Sequence, residues 1–152
     1  MLKLIYILQA FLLIFSTCQN EKMEDPKNPP EAKGCEKLVV SEPHIRIGLF
    51  RDPYTLKSAS ISSDKMNLDV SYSGGCNDHC FNLIWDRTIQ ESYPPQTSVR
   101  ISHNANGDNC RQLISQTLKI DLTRMKDELK RTNIKEIVIK IEDTDKSLTY
   151  KF

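Results

Sequence analysis

Five cysteines and three histidines are the residues of this chain with the most distinctive chemistry. Three of the cysteines (Cys76, Cys80, Cys110) and two of the histidines (His79, His103) fall within the stretch 73–110. Thiols and imidazoles can form disulfides, ligate zinc or copper, or act together as nucleophile and base. A functional hypothesis for this chain therefore starts from these two groups of side chains.

Strand alternation predicts that both histidines continue a buried face. The apolar positions 81, 83 and 85 alternate with polar ones, and two steps back on the same face lead to His79. In the same way, positions 99 and 101 lead forward to His103. Successive strand residues point to opposite faces, so Cys80 is expected to point away from His79 and to find a different partner.

The favoured interpretation is a pair of disulfides. Cys76 and Cys110 would form one bridge, with both histidines hydrogen-bonded around it, and Cys35 and Cys80 would form the second. Cysteines of exported proteins usually oxidise, and a bridge across a loop of this length stabilises a domain by roughly 3–4 kcal/mol in the chain-entropy model.

A metal site is the alternative interpretation. Cys76, His79, His103 and Cys110 would form a Cys2His2 set that suits tetrahedral zinc or, through the thiolates, Cu(I). Such a site needs both thiols reduced, which export disfavours. The favoured reading therefore includes no metal and no other cofactor.

Catalytic patterns are missing from the sequence. It contains no serine nucleophile elbow, no paired-carboxylate pattern and no phosphate-binding loop. The carboxylates Asp64, Asp69, Asp78 and Asp108 are interpreted as solvated groups on turns and strand faces. We therefore expect that the protein is not an enzyme.

The N-terminal segment predicts export and lipidation. Lys3 precedes an apolar run over 4–15, which is too short to span a bilayer, and the small residues Ser16 and Thr17 precede Cys18. This order resembles a bacterial lipoprotein signal, so we assign 1–17 to a signal peptide, Cys18 to lipidation, 18–34 to a disordered tether and 35–152 to the folded domain. Lipidation of Cys18 leaves an even number of cysteines to pair.

The near-neutral charge bears on the partners. The chain has 21 basic and 20 acidic residues, for a net charge of +1. This balance gives no support to nucleic acid as a partner. The predicted membrane contact is the lipid anchor alone.

Alternating apolar residues predict an all-β fold. Runs with a period of two occur at 38–40, 45–49, 54–62, 65–72, 81–85, 99–101, 114–122, 137–141 and 148–152. The spacing of Leu122, Met125 and Leu129 indicates one short helix near 123–132, with Thr123 as N-cap and Asn133 as its stop. Because each strand can bury only one face, we expect an antiparallel β-sandwich of about 8–9 short strands, with a partly open barrel as the alternative.

Two loops carry a resemblance to a known group of proteins. The residues that carry it are Tyr72, Ser73, Gly74, Gly75, Cys76, His79, Phe81 and Leu83 with His103, Asn104, Asn106, Gly107, Asp108 and Cys110. Their pattern resembles that of small uncharacterised lipoproteins of the Bacteroidota, as does the polar start Cys18-Gln19-Asn20-Glu21-Lys22. The resemblance implies a sandwich-like fold and an envelope location, and it implies no catalytic residue. Cys35 and Cys80 look additional to the shared pattern.

These observations predict an exported, membrane-anchored lipoprotein of the bacterial outer membrane, facing the periplasm or the surface. Its domain would be a non-catalytic module that binds an envelope protein or glycan, or supports the envelope. The alternative is a metal-binding lipoprotein that uses Cys76, His79, His103 and Cys110. A third hypothesis is an inhibitor of a secreted enzyme that inserts the loop 92–96.

Overall fold

The structure, a computed structural model, describes residues 35–42 and 50–152. Residues 1–34 lie outside the described part, so the signal peptide, Cys18 and the tether remain predictions. The strand expected at 45–49 also lies outside it. The described residues form eight strands and one helix: β1 Lys37–Val40, β2 Thr55–Ser62, β3 Lys65–Gly74, β4 Cys80–Gln90, β5 Gln96–Asn104, β6 Gln112–Asp121, α1 Thr123–Arg131, β7 Glu136–Ile141 and β8 Ser147–Lys151.

Two sheets contain these strands, which confirms the all-β sandwich. One sheet has the order β1-β4-β5-β7-β8 and the other the order β2-β3-β6. Their inward positions follow the alternation seen in the sequence, and Leu68, Leu83, Trp85 and Ile139 are each at most 1% exposed. The facing apolar sides form one core that closes the sandwich.

The larger sheet differs from the antiparallel arrangement that we expected. β1 runs parallel to β4, and β5 runs parallel to β7. Parallel neighbours need a long crossover connection, and here the chain between them passes through the smaller sheet. Between β5 and β7 this connection consists of β6 and α1.

The helix α1 packs one face against the core through Met125 and Leu129, as its spacing predicts. Its N-cap is Leu122, and Thr123 is the first helical residue, so the expected Thr123 cap is wrong. The carboxylate of Asp121 instead accepts a hydrogen bond from the Thr123 N–H at 2.8 Å. Asn133 follows the helix with a φ of 62°, the left-handed conformation that ends helices.

Strand directions define two ends of the sandwich. β3 ends and β4 begins at the disulfide end, where the loop 75–79 faces the loop 105–111. α1 and the loop 91–95 lie at the opposite end, which we call the helix end. Within the described residues, no helix is long and apolar enough to cross a membrane.

Candidate functional site

Two disulfides lie at the disulfide end. Cys76 is joined to Cys110, and Cys35 is joined to Cys80 at the start of β4. These are the two pairs that the sequence favoured. The first bridge ties the loop after β3 to the loop before β6, and the second fixes the start of the described chain to the larger sheet.

The Asp108 carboxylate is the centre of this end, which the sequence did not reveal. Its Oδ2 atom accepts hydrogen bonds from the backbone N–H groups of Gly75, Cys76 and Asn77, each at 2.9 Å. Its Oδ1 atom accepts one from the Cys110 N–H at 2.8 Å. The side chain has no exposed surface. The expectation of a solvated turn residue is therefore wrong.

These donors also govern the charge of Asp108. Hydrogen bonds from the backbone N–H groups of Asn77 and Cys110 hold the pKa of its carboxyl well below the usual range. Donors that point at a carboxylate favour its ionised form. Asp108 is therefore a buried anion, and it holds the two disulfide-linked loops together through their backbones.

His79 lies directly beside this anion and His103 lies beside His79, both on the buried face that strand parity predicted for them. His79 Nε2 is 3.3 Å from Asp108 Oδ2, and His79 Nδ1 is 2.8 Å from His103 Nε2. His103 Nδ1 lies 3.0 Å from the backbone oxygen of Asp52. The four groups form a continuous line of hydrogen bonds, which we call the Asp108–His79–His103 chain.

Aromatic rings enclose both imidazoles. Tyr72 stacks on His79 with ring centroids 4.4 Å apart, and Phe81 stacks on His103 at 4.0 Å. The side chain of His79 is 1% exposed, and the whole residue His103 is also 1% exposed. Burial lowers the pKa of His103, and the charge of His79 lowers it further, against a partial counter-effect from the hydrogen bond to Asp52.

A glycine makes room for this packing. A Cβ atom added to Gly74 would lie 2.6 Å from His79 Nε2 and 3.2 Å from Asp108 Oδ2. Real Cβ contacts are longer than the first of these distances, so Gly74 is needed for the close approach of the ring. The Gly-Gly-Cys motif thus has two uses, because Gly75 adopts a φ of 114° in the turn that follows.

The structure does not favour the metal alternative. The sulfur atoms of Cys76 and Cys110 are bonded to each other. Both ring nitrogens of His79 and both of His103 already have hydrogen-bond partners. Ligand atoms of Cys76, Asp108 and Cys110 do lie within 4.8 Å of one another, but the sulfurs are consumed by the bridge.

Two surface features remain as candidate contact sites. One is an open cleft of about 480 Å³ that lies between residues 51–56, Arg100 and Asp143. The other is the loop 91–95 at the helix end, where Tyr93 is fully exposed. The loop is ordered by a hydrogen bond from the Ser92 hydroxyl to the Pro94 carbonyl at 2.7 Å.

Comparisons with known proteins identify similar folds. No family model matches the sequence, and no curated protein matches it. The chain is similar to a protein of unknown function, DUF1344, from Bacteroides vulgatus, with 18% identity, a TM-score of 0.51 and coverage of 76% of this chain and 55% of that one. It is also similar to a NigD-like immunity protein from Bacteroides caccae, with 18% identity, a TM-score of 0.50 and coverage of 74% and 57%.

A candidate lipoprotein from Bacteroides fragilis gives a TM-score of 0.51 at 13% identity, with 76% of this chain and 70% of that chain covered. This chain spans little more than half the length of the DUF1344 protein and of the NigD-like protein. At these identities the comparisons show a shared fold: the sandwich is one that proteins of Bacteroides species also adopt.

Proposed function

We propose that this chain is an exported, lipid-anchored binding module without catalytic activity. The observation that carries the proposal is that the reactive groups of the disulfide end are all engaged with one another. The sulfurs are paired, the Asp108 carboxylate is enclosed by backbone N–H groups, and both imidazoles are buried. Because the carboxylate and both imidazoles are buried and the sulfurs are bonded to each other, the disulfide end is interpreted as structural.

The position of the anchor supports a binding role. Residues 19–34 separate the expected lipid on Cys18 from Cys35, which is fixed to the first residue of β4. A fully extended segment of this length reaches roughly 60 Å. A tether that ends at Cys35 would join the domain at its disulfide end and would leave the helix end, with its exposed Tyr93, free for contact.

A protein partner fits this arrangement best. Tyrosine is enriched in the energetically important parts of protein interfaces. The exposed Tyr93, which precedes two prolines, is therefore a candidate contact residue. Two of the similar structures are named a candidate lipoprotein and a NigD-like immunity protein, which is compatible with an envelope protein that binds another protein.

Mass spectrometry of the intact mature protein tests the anchor and the thiols together. We expect acyl chains on Cys18 and a mass lower by about four hydrogens than that of the reduced chain, because each disulfide removes two. An unmodified Cys18 would contradict the anchored module. Free thiols on the other cysteines would contradict the structural reading of the disulfide end.

Crosslinking in intact cell envelopes tests the binding role. A photoreactive group at position 93 should yield a discrete adduct, and the same group at the exposed position Leu113 serves as the control. An adduct from position 93 alone supports a partner at the helix end. Equal labelling from both positions, or from neither, contradicts this placement of the binding surface.

A further inference from the structure

The Asp108–His79–His103 chain requires a definite number of protons. It contains three contacts between polar atoms: carboxylate to imidazole, imidazole to imidazole, and imidazole to carbonyl. The carboxylate at one end and the Asp52 carbonyl at the other end can only accept. Each contact is a hydrogen bond only if one hydrogen lies within it, so the line needs three ring hydrogens.

Two neutral imidazoles supply only two hydrogens. If His79 carried its hydrogen on Nδ1 alone, its Nε2 lone pair would face the Asp108 anion. If it carried the hydrogen on Nε2 alone, His103 would have to donate from Nε2, and its bare Nδ1 would face the Asp52 carbonyl. Either arrangement places two acceptors in contact inside a buried site, which is costly.

We infer that His79 and His103 together hold three ring hydrogens, so that the pair carries one positive charge and forms a buried ion pair with Asp108. His79 Nε2 and His103 Nδ1 each carry their own hydrogen. The third hydrogen lies between His79 Nδ1 and His103 Nε2, 2.8 Å apart. The inference concerns the state of the fold and does not depend on the proposed binding role.

The surroundings of the rings favour this charge. Two carboxylates act on the rings themselves: Asp108, in the loop before β6, contacts His79, and Asp52, in the segment before β2, acts on His103. Asp78, before β4, and Glu36, at the start of the described chain, act on Tyr72, which stacks on His79. The hydroxyl-bearing rings nearby are those of Tyr54 and Tyr72. A buried cation is tolerated when it is paired and hydrogen-bonded, as the shared charge is here.

The consequence is that the contact between His79 and His103 depends on the shared proton. The pair joins the loop after β3, which holds His79, to the end of β5, which holds His103. Removing the shared hydrogen, or adding a fourth one, breaks one of the three contacts. The Cys76–Cys110 bridge would keep the loops 75–79 and 105–111 together while the contact between His79 and the end of β5 opened.

NMR spectroscopy of the full chain, with ¹⁵N-labelled histidine at pH 7.5, tests the inference directly. Long-range ¹H–¹⁵N spectra report which ring nitrogens carry hydrogen. We expect hydrogen on His79 Nε2, on His103 Nδ1 and on one of the two facing nitrogens, for a total of three. Two neutral rings with a total of two, or two fully protonated rings with four, would overturn the inference.

Matched variants then test the role of the Asp108 charge. In Asp108→Asn the amide oxygen can still accept the three backbone N–H groups, but the anion that pairs with the shared charge is gone. We therefore expect the total to fall from three to two at the same pH. Asp78→Asn removes a charge from the exposed residue next to His79, which is not a member of the hydrogen-bonded chain, and the total should stay at three. An unchanged total in folded Asp108→Asn would overturn the ion pair, and if this variant does not fold, the spectrum of the unaltered protein still decides.

Discussion

Gly74 shows how a single missing atom determines the packing at the disulfide end. Its site is closed by the His79 ring and by the Asp108 carboxylate. Alanine fits the backbone, so the substitution adds only one methyl group. We expect Gly74→Ala to destabilise the protein by about 1–3 kcal/mol, the usual cost of overpacking a filled site. Denaturant titration measures this cost.

The neighbouring residue provides the control for Gly74. Ser73 is exposed on the same strand, and Ser73→Ala should leave the free energy of unfolding within about 0.5 kcal/mol of the original. If Gly74→Ala were equally harmless, the His79 ring would not lie where the structure places it.

Thr97 makes the second prediction at the residue scale. It is 1% exposed, and its hydroxyl oxygen accepts a hydrogen bond from Trp85 Nε1 at 2.8 Å. The same hydroxyl donates to the Thr88 carbonyl at 2.7 Å. Thr97→Val keeps the shape but leaves the buried Trp85 N–H and the partly buried Thr88 carbonyl without this partner. We expect the free energy of unfolding to fall by about 1–3 kcal/mol, which unfolding monitored by tryptophan fluorescence measures.

Thr117 is the matched control for Thr97. Its hydroxyl also donates a hydrogen bond, to Asp69 at 2.6 Å, but it lies on the exposed face of the smaller sheet. Water can replace that bond, so Thr117→Val should cost clearly less than Thr97→Val. Equal costs for the two variants would mean that the Thr97 hydroxyl is accessible to water.

Some residues of the site could be predicted from the sequence and others could not. Strand parity placed His79 and His103 on the buried face, because parity depends only on neighbours along the chain. Asp108 was missed because its burial depends on backbone N–H groups of a loop about thirty residues away. An Asp side chain often accepts a hydrogen bond from the backbone N–H two residues later, so the spacing of Asp108 and Cys110 was a possible signal of this contact.

At the scale of elements, the start of α1 separates two candidate capping residues. The Asp121 carboxylate accepts the Thr123 N–H and also pairs with Lys65, whereas Thr123 makes no side-chain cap. We therefore expect Asp121→Ala to cost about 0.5–2 kcal/mol, as loss of a cap does. Thr123→Ala should cost less. Thermal unfolding followed by circular dichroism compares them, and the reverse order would reinstate Thr123 as the cap.

Strand positions followed from the sequence more readily than strand pairing did. Alternation predicted β3 and β4 because each strand buries one face against the other sheet. The same alternation fits parallel and antiparallel neighbours equally well, so the parallel pairs β1–β4 and β5–β7 could not be inferred. The pairing of β4 and β5 also shifts between Trp85 and Ile89, where Arg87 has a φ of 62°.

At the scale of the whole molecule, the two disulfides should differ in their effect. They join residues 34 and 45 positions apart, and chain entropy alone predicts a similar stabilisation of about 4 kcal/mol for each. The Cys76–Cys110 bridge also aligns the backbone N–H groups around Asp108. We therefore expect the double variant Cys76→Ser/Cys110→Ser to be less stable in urea than Cys35→Ser/Cys80→Ser. Equal midpoints would show that the enclosure of Asp108 forms without the bridge.

The stability of the molecule should decrease on acidification in two stages. Burial lowers the pKa of His103, so below about pH 6.5 the unfolded chain binds protons more readily than the folded protein does. The part of the stability that depends on keeping this further proton off the pair is therefore complete above that pH and falls as the pH drops toward the folded pKa, at most by about 1.4 kcal/mol per pH unit for one proton. Loss of the proton that the pair shares is a separate step at higher pH. The pKa values of Asp108 and Asp121 are also lowered, so their contributions are lost only below about pH 4.

Urea denaturation at a series of pH values between 8 and 3 measures both stages. In His103→Gln the decrease between about pH 6.5 and pH 5 should disappear, because the residue that resists protonation is gone. In Asp121→Asn the same decrease should remain, and only the part below about pH 4 should become shallower. If the first decrease in stability persists in His103→Gln, a group other than His103 causes it. Its loss in Asp121→Asn would mean that the two ends of the sandwich do not titrate independently.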